Sequence, residues 1–144
     1  MRDPRNEEPR LVDRVQLLDT ARAPAPPGPF SHASVVGPFV FTAGMGGLDP
    51  VSGEVVSDDL REQTRQAMRN TLAIVEDAGC AITDIVKVTL YLTDMADYPL
   101  VNAIYEECMG GHRPARTCVA VSALPVRERM KLDVIAVKAG SGFG

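Results

Sequence analysis

The sequence predicts an α+β domain: one mixed sheet with two helices on one face, in the order β-β-β-α-β-α-β-β. Three observations carry this expectation. Short apolar runs with period two recur between Gly and Pro punctuation, two longer stretches place apolar residues at three- and four-residue steps, and the two kinds of segment are interleaved. A chain of 144 residues fits one domain whose core needs no disulfide or metal staple.

Residues 1–14 hold Arg2, Arg5, Arg10 and Arg14 against Asp3, Glu7, Glu8 and Asp13. With so little apolar content they are expected to form a charged N-terminal extension to a domain spanning 15–138, followed by a tail at 139–144. The run Val15 to Leu18 reads as a weak first strand. Four prolines between positions 23 and 29 make a stiff, extended connector, because each fixes φ and biases its predecessor away from helix. Segments 31–36 and 39–43 are β-branched and aromatic runs separated by Gly37-Pro38, a hairpin signal.

Gly44, Gly46 and Gly47 read by default as a bulge or tight turn, since three glycines without a phosphate-loop lysine are a weak anion-binding signal. Asp58 or Asp59 can cap a helix, with Glu62 in capping-box position. Leu60, Thr64, Ala67, Met68, Thr71 and Val75 continue its apolar face, and Gly79 ends it. Segment 85–93 predicts a half-buried strand with Val86, Val88, Leu90 and Leu92 on one face and Lys87 and Thr89 on the other. A second helix is expected over 98–109, capped by Asp97, with Pro99 in its first turn and Gly110-Gly111 as its stop. Strands at 116–123 and 130–138 follow, joined by a charged loop containing Pro125, Arg127, Glu128 and Arg129. Several strands look apolar on both faces, so a second subunit is expected to cover the open side of the sheet.

Fifteen Lys+Arg against nineteen Asp+Glu give a net charge of −4, which argues against nucleic acid as the main partner. No window reaches the roughly 18 apolar residues of a membrane span, and Met1-Arg2-Asp3-Pro4-Arg5 has no apolar run behind it. Cys80, Cys108 and Cys118 are odd in number and include no C-x-x-C pair, which suits reduced thiols and a cytoplasmic location. His32 and His112 stand eighty residues apart, so a histidine-based metal site is not expected.

The most informative segment is His112-Arg113-Pro114-Ala115-Arg116-Thr117-Cys118-Val119. A planar guanidinium at Arg116, at the start of a strand among small residues, suits a two-point grip on a carboxylate. The alternative is a structural arginine at a sheet end or interface. Cys118 shares the face of Arg116; it is either a thiol tuned by a nearby cation or a small buried hydrophobe. In the last strand Lys131 and Asp133 share a face opposite Met130, Leu132 and Val134, the pattern of a solvated face or an interface rim. Ser31 and His32 are adjacent on a strand, point to opposite faces and do not form a catalytic dyad.

Several segments together resemble the Rid/YjgF family, the reactive intermediate deaminases. They are Pro29-Phe30-Ser31-His32-Ala33, Phe41-Thr42-Ala43-Gly44, Leu48-Asp49-Pro50 with Gly53-Glu54-Val55-Val56, Asp84-Ile85-Val86-Lys87-Val88-Thr89, Val101-Asn102-Ala103-Ile104-Tyr105 and Pro114-Ala115-Arg116-Thr117-Cys118-Val119. The resemblance implies a chorismate-mutase-like homotrimer with sites in the clefts between subunits and no cofactor. In the imine-deaminating branch, it implies, the arginine at position 116 binds the carboxylate of a 2-imino acid released by pyridoxal-phosphate enzymes. A glutamate in the last strand positions the water that yields a 2-keto acid and ammonia.

Arg116, Gly44, Asn102 and Cys118 keep that pattern. Phe30 stands at a tyrosine position, Ala43 at a serine position, Met45 where glutamine is common, and Lys131 at the position of the water-positioning glutamate. An ammonium is no general base near neutral pH unless desolvation or a second cation such as Arg116 lowers its pKa. Asp133 is expected to pair with Lys131. The site is therefore expected to bind a small anionic carboxylate through Arg116, with Arg116 and Lys131 as the catalytic pair and Phe30, Ala43, Gly44, Asn102 and Cys118 lining the pocket. Three readings stay open: an imine or enamine hydrolase, a divergent catalyst of another step such as condensation or cyclisation, and a noncatalytic anion-binding trimer.

Overall fold

The structure, a computed structural model, describes residues 14–139. Apart from Arg14 and Ala139, the expected N-terminal extension and C-terminal tail lie outside the described residues. In chain order the elements are β1 (Gln16–Leu18), β2 (Ala33–Val36), β3 (Phe39–Thr42), β4 (Met45–Gly46), α1 (Leu60–Asp77), β5 (Ile85–Leu92), α2 (Tyr98–Met109), β6 (Ala115–Ala120) and β7 (Met130–Val137). The strands form one mixed sheet in the order β1-β2-β3-β7-β5-β6, with β4 also on β7. All pairings are antiparallel except β5 with β6. This is the expected α+β class with one further short strand.

Strict alternation in β7 buries Met130, Leu132, Val134 and Ala136. Val88, Leu90 and Leu92 of β5 and Val40 of β3 join them on the side that α1 packs against. Asp59 caps α1 by accepting a hydrogen bond from Arg61 N at 2.9 Å, an interaction worth about 1 kcal/mol. Two polar residues of α1 are also buried. Asn70 donates to Gly46 O and Leu48 O, at 3.0 and 2.9 Å, and Gln63 donates to Ser57 O at 2.9 Å. These bonds satisfy the carbonyls of the glycine segment and hold it against the helix.

Three local expectations change. Val86 leaves the apolar face and is 47% exposed, because two residues of β5, Ile85 to Lys87, span one step of β7, Ala136 to Ile135. That is a β-bulge, which period-two alternation does not reveal. The glycine trio holds a bulge that continues into a strand: four steps lead from Phe41 to Met45 against three from Ile135 to Leu132. Thr42 Oγ1 accepts from Val134 N at 3.0 Å where the ladder is interrupted. Finally, Asp97 makes no side-chain cap to α2. Asp94 caps the single turn before it, and Asp97 instead pairs with Arg129 at 3.2 Å.

Among the described residues, no helix packs on the opposite face of the sheet. Leu17, Phe39, Phe41 and Val119 are exposed there.

Candidate active site

Arg116 on β6 is in register with Val88 and, through it, with Val134, so its side chain rises on the helix side. There α2 receives it. One guanidinium nitrogen donates to Asn102 Oδ1 at 2.8 Å and the other to the Tyr98 hydroxyl at 2.7 Å. The Tyr105 ring centroid lies 4.8 Å from Cζ, a cation–π contact that fixes the plane of the group. The Tyr105 hydroxyl is buried without a hydrogen-bond partner, and burial raises its pKa. Asn102, Tyr105, His112 and Arg116 share a cavity of about 490 Å³. Two donors are committed to positioning, and the remaining N–H groups of the fork are available to a ligand.

Cys118 sits beside Arg116 on the same face and packs against the core. Burial pushes its thiol pKa up, and the opposing pull of Arg116 is the smaller effect. The alternative of a cation-activated thiolate gives way to a small packed hydrophobe.

Lys131 faces the other way. It is in register with Tyr91 and Gly46, on the side of the sheet without helices. Phe30, Ala43, Gly44, Tyr91, Lys131 and Asp133 line a shallow cavity of about 430 Å³ there. Within one protomer Arg116 and Lys131 do not meet, so the expected pair of neighbouring cations is absent from the single chain. The expected Asp133–Lys131 pair is also replaced. Asp133 accepts from the Tyr91 hydroxyl at 2.8 Å, while Lys131 Nζ lies 3.2 Å from Glu128 Oε2.

Glu128 is a functional candidate missed in the charged loop. It is 3% exposed, and it lines a second cavity of about 490 Å³ together with Phe30, Gly44 and Lys131. The prolines at 24–27 form part of the wall. His32 ties that connector down: Nδ1 accepts from Thr20 N at 3.0 Å, so Nε2 donates to Pro24 O at 2.7 Å. Gly44 has a steric task in this corner, since a Cβ there would fall 2.8 Å from Lys131 Cδ. Among the described residues, no group of three or more His, Cys, Asp or Glu side chains could hold a metal ion.

The family described as Endoribonuclease L-PSP matches residues 20–138. A RutC family protein of Pyrococcus abyssi is 43% identical over 123 residues, covering 85% of this chain and 97% of its own. The human 2-iminobutanoate/2-iminopropanoate deaminase is 38% identical over 128 residues, covering 89% of this chain and 92% of its own. Among solved structures, the YjgF gene product of E. coli superposes with a TM-score of 0.81 at 38% identity, over 85% of this chain and 98% of that one. E. coli TdcF with bound serine gives 0.82 at 34% identity, over 86% and 99%.

Proposed function

The chain belongs to the Rid/YjgF family, and from that premise we propose that it hydrolyses 2-imino or enamine acids to 2-keto acids and ammonia. The observation that carries this reading is the Arg116 fork, fixed by Asn102, Tyr98 and Tyr105 with donors left over for a carboxylate. The deaminase name of the human relative and the serine bound to TdcF, itself a small α-carboxylate, point the same way. The net charge of −4 gives RNA no matching attraction, so the reading is a deaminase and not a nuclease.

Arg116 grips the substrate carboxylate, Asn102 orients Arg116, and Cys118 packs beside it. Phe30, Ala43 and Gly44 wall the reacting end, and Lys131 is its charged edge. Because Arg116 and Lys131 lie on opposite faces of one protomer's sheet, the complete site forms between copies in a homotrimer. The exposed Leu17, Phe39, Phe41 and Val119 supply an apolar face for that contact. The free thiols of Cys80, Cys108 and Cys118 suit a reducing cytoplasm, and no helix among the described residues is long and apolar enough to cross a membrane.

The test generates imines in situ from several amino acids with an amino-acid oxidase and follows their loss. Wild type is expected to accelerate it. Arg116→Ala is expected to lower kcat/KM roughly 100-fold, since a charge-assisted two-point grip contributes about 3 kcal/mol. No acceleration with any imine rejects the hydrolase reading; ligand binding without turnover, lost in Arg116→Ala, selects the noncatalytic one.

A further inference from the structure

Glu128 is the only buried carboxylate among the described residues. Its 3.2 Å contact with Lys131 Nζ is an ion pair without hydrogen-bond alignment, so Oε2 has no hydrogen-bond donor. Burying a charge this way carries a desolvation penalty that a single ion pair seldom recovers, and an apolar side chain would serve stability better.

The backbone before Glu128 is also strained. Val126 and Arg127 have φ of 49° and 63°, in the left-handed region that a β-branched residue rarely enters. The turn is clamped on both sides. Glu128 N donates to Pro125 O at 3.0 Å, and Arg129 N donates to Gln63 Oε1 at 3.1 Å. Strain and burial thus converge on presenting one carboxylate to the cavity it shares with Phe30, Gly44 and Lys131.

Imine hydrolysis needs a group that takes a proton from water. At the corner lined by Phe30, Gly44 and Lys131, Lys131 is a cation and Asp133 is engaged by the Tyr91 hydroxyl. Glu128 remains. We propose that Glu128 orients and deprotonates the water that attacks the imine carbon, with Lys131 as its counter-ion. This rests on the hydrolase reading of the same site.

Water oxygen bonds to the carbon of the protonated imine, one water proton passes to the Glu128 carboxylate, and the C=N π pair settles on nitrogen, giving a neutral carbinolamine. Glu128 returns that proton to the amine nitrogen; the C–N bond then breaks with its pair leaving on ammonia, the carbonyl forms, and the hydroxyl proton passes back through Glu128 to the ammonia. The products are ammonia and the 2-keto acid, and no oxidant or reductant is consumed. Burial raises the Glu128 pKa against a smaller opposing pull from Lys131, the direction that makes a carboxylate a better base near neutrality.

The experiment measures kcat and KM for the imine formed from leucine by the oxidase, with the fold checked by thermal unfolding. Glu128→Gln keeps the shape and removes the base, so kcat is expected to fall about 10²–10⁴-fold with KM within about threefold of wild type. A folded Glu128→Gln with kcat within about threefold of wild type overturns the assignment while leaving the hydrolase reading intact. Should that variant fail to fold, Glu128→Gln combined with Lys131→Met is compared with Lys131→Met alone: a further fall in kcat supports the assignment, and an equal kcat overturns it. A wild type that leaves every imine untouched overturns both readings together.

Discussion

Gly46 and Glu128 compete for one space: a Cβ on Gly46 would overlap Glu128 Oε1. Gly46 is paired with Lys131 in the β4–β7 ladder, so the glycine both opens the strand edge and admits the carboxylate over it. Gly46→Ala is therefore expected to destabilise the protein by about 1–3 kcal/mol, the cost of overpacking a filled site. Glu128→Ala in the same chain removes the obstruction. Urea unfolding of the two single variants and the double variant should show strong non-additivity, with the double variant more stable than the sum predicts. Additive losses would mean that Gly46 serves the backbone alone.

The same contact shows where sequence reading stopped. Helix periodicity, the Asp59 cap and the alternation in β7 depend on neighbours a few residues apart, and they survive intact in the fold. Arg116 was legible because a guanidinium among small strand residues is chemically conspicuous. Glu128 was not, since Arg127-Glu128-Arg129 reads as solvated loop until two left-handed residues fold the middle side chain inward. Nor could the sequence show that Arg116 and Lys131 face opposite ways. They sit on different strands, and their relative facing depends on a parallel and an antiparallel register set by the whole sheet.

Asn102 orients Arg116 through one charge-assisted hydrogen bond of 2.8 Å. Losing such a bond is worth about 1.5–3 kcal/mol, so Asn102→Ala is expected to raise KM for imine substrates roughly 10–100-fold, with a smaller effect on kcat. Steady-state kinetics separate the two parameters. An unchanged KM would assign the positioning to Tyr98 and Tyr105 instead.

Glu128 also sets a pH dependence of stability. Its folded-state pKa lies above the ordinary 4.5, so the native state holds the proton more tightly than the unfolded chain. Below 4.5 both states are protonated and no penalty exists. Stability is lost as pH rises from 4.5 through the raised native value and levels off above it. Lys131 is the charged group facing Glu128, and its pull limits the width of that window. Asp77 acts with the opposite sign. Thr20 and Arg22 lower its pKa, so its contribution disappears as pH falls. Comparing wild type with Glu128→Gln isolates the first effect: the variant should gain relative stability as pH rises from 4.5 through the raised native value. A flat difference across that range would show that Glu128 titrates normally.

In the proposed homotrimer, assembly and catalysis are coupled through the open sheet face. Phe41 on β3 is 42% exposed and its ring centroid lies 6.3 Å from that of Phe39. An arginine at position 41 can extend into water in an isolated chain, so the fold should tolerate Phe41→Arg, whereas burial of that charge against another copy is costly. Light scattering is expected to report a monomer in place of a trimer. Arg116 lies on the helix side of the sheet and Lys131 on the open side, so a monomer presents the proposed carboxylate grip and the proposed reacting end in separate cavities. Imine hydrolysis should therefore fall with the trimer while thermal unfolding still reports a folded chain. A monomeric variant with full activity would place the whole site within one protomer, and the division of roles between Arg116 and the Lys131 corner would have to be redrawn.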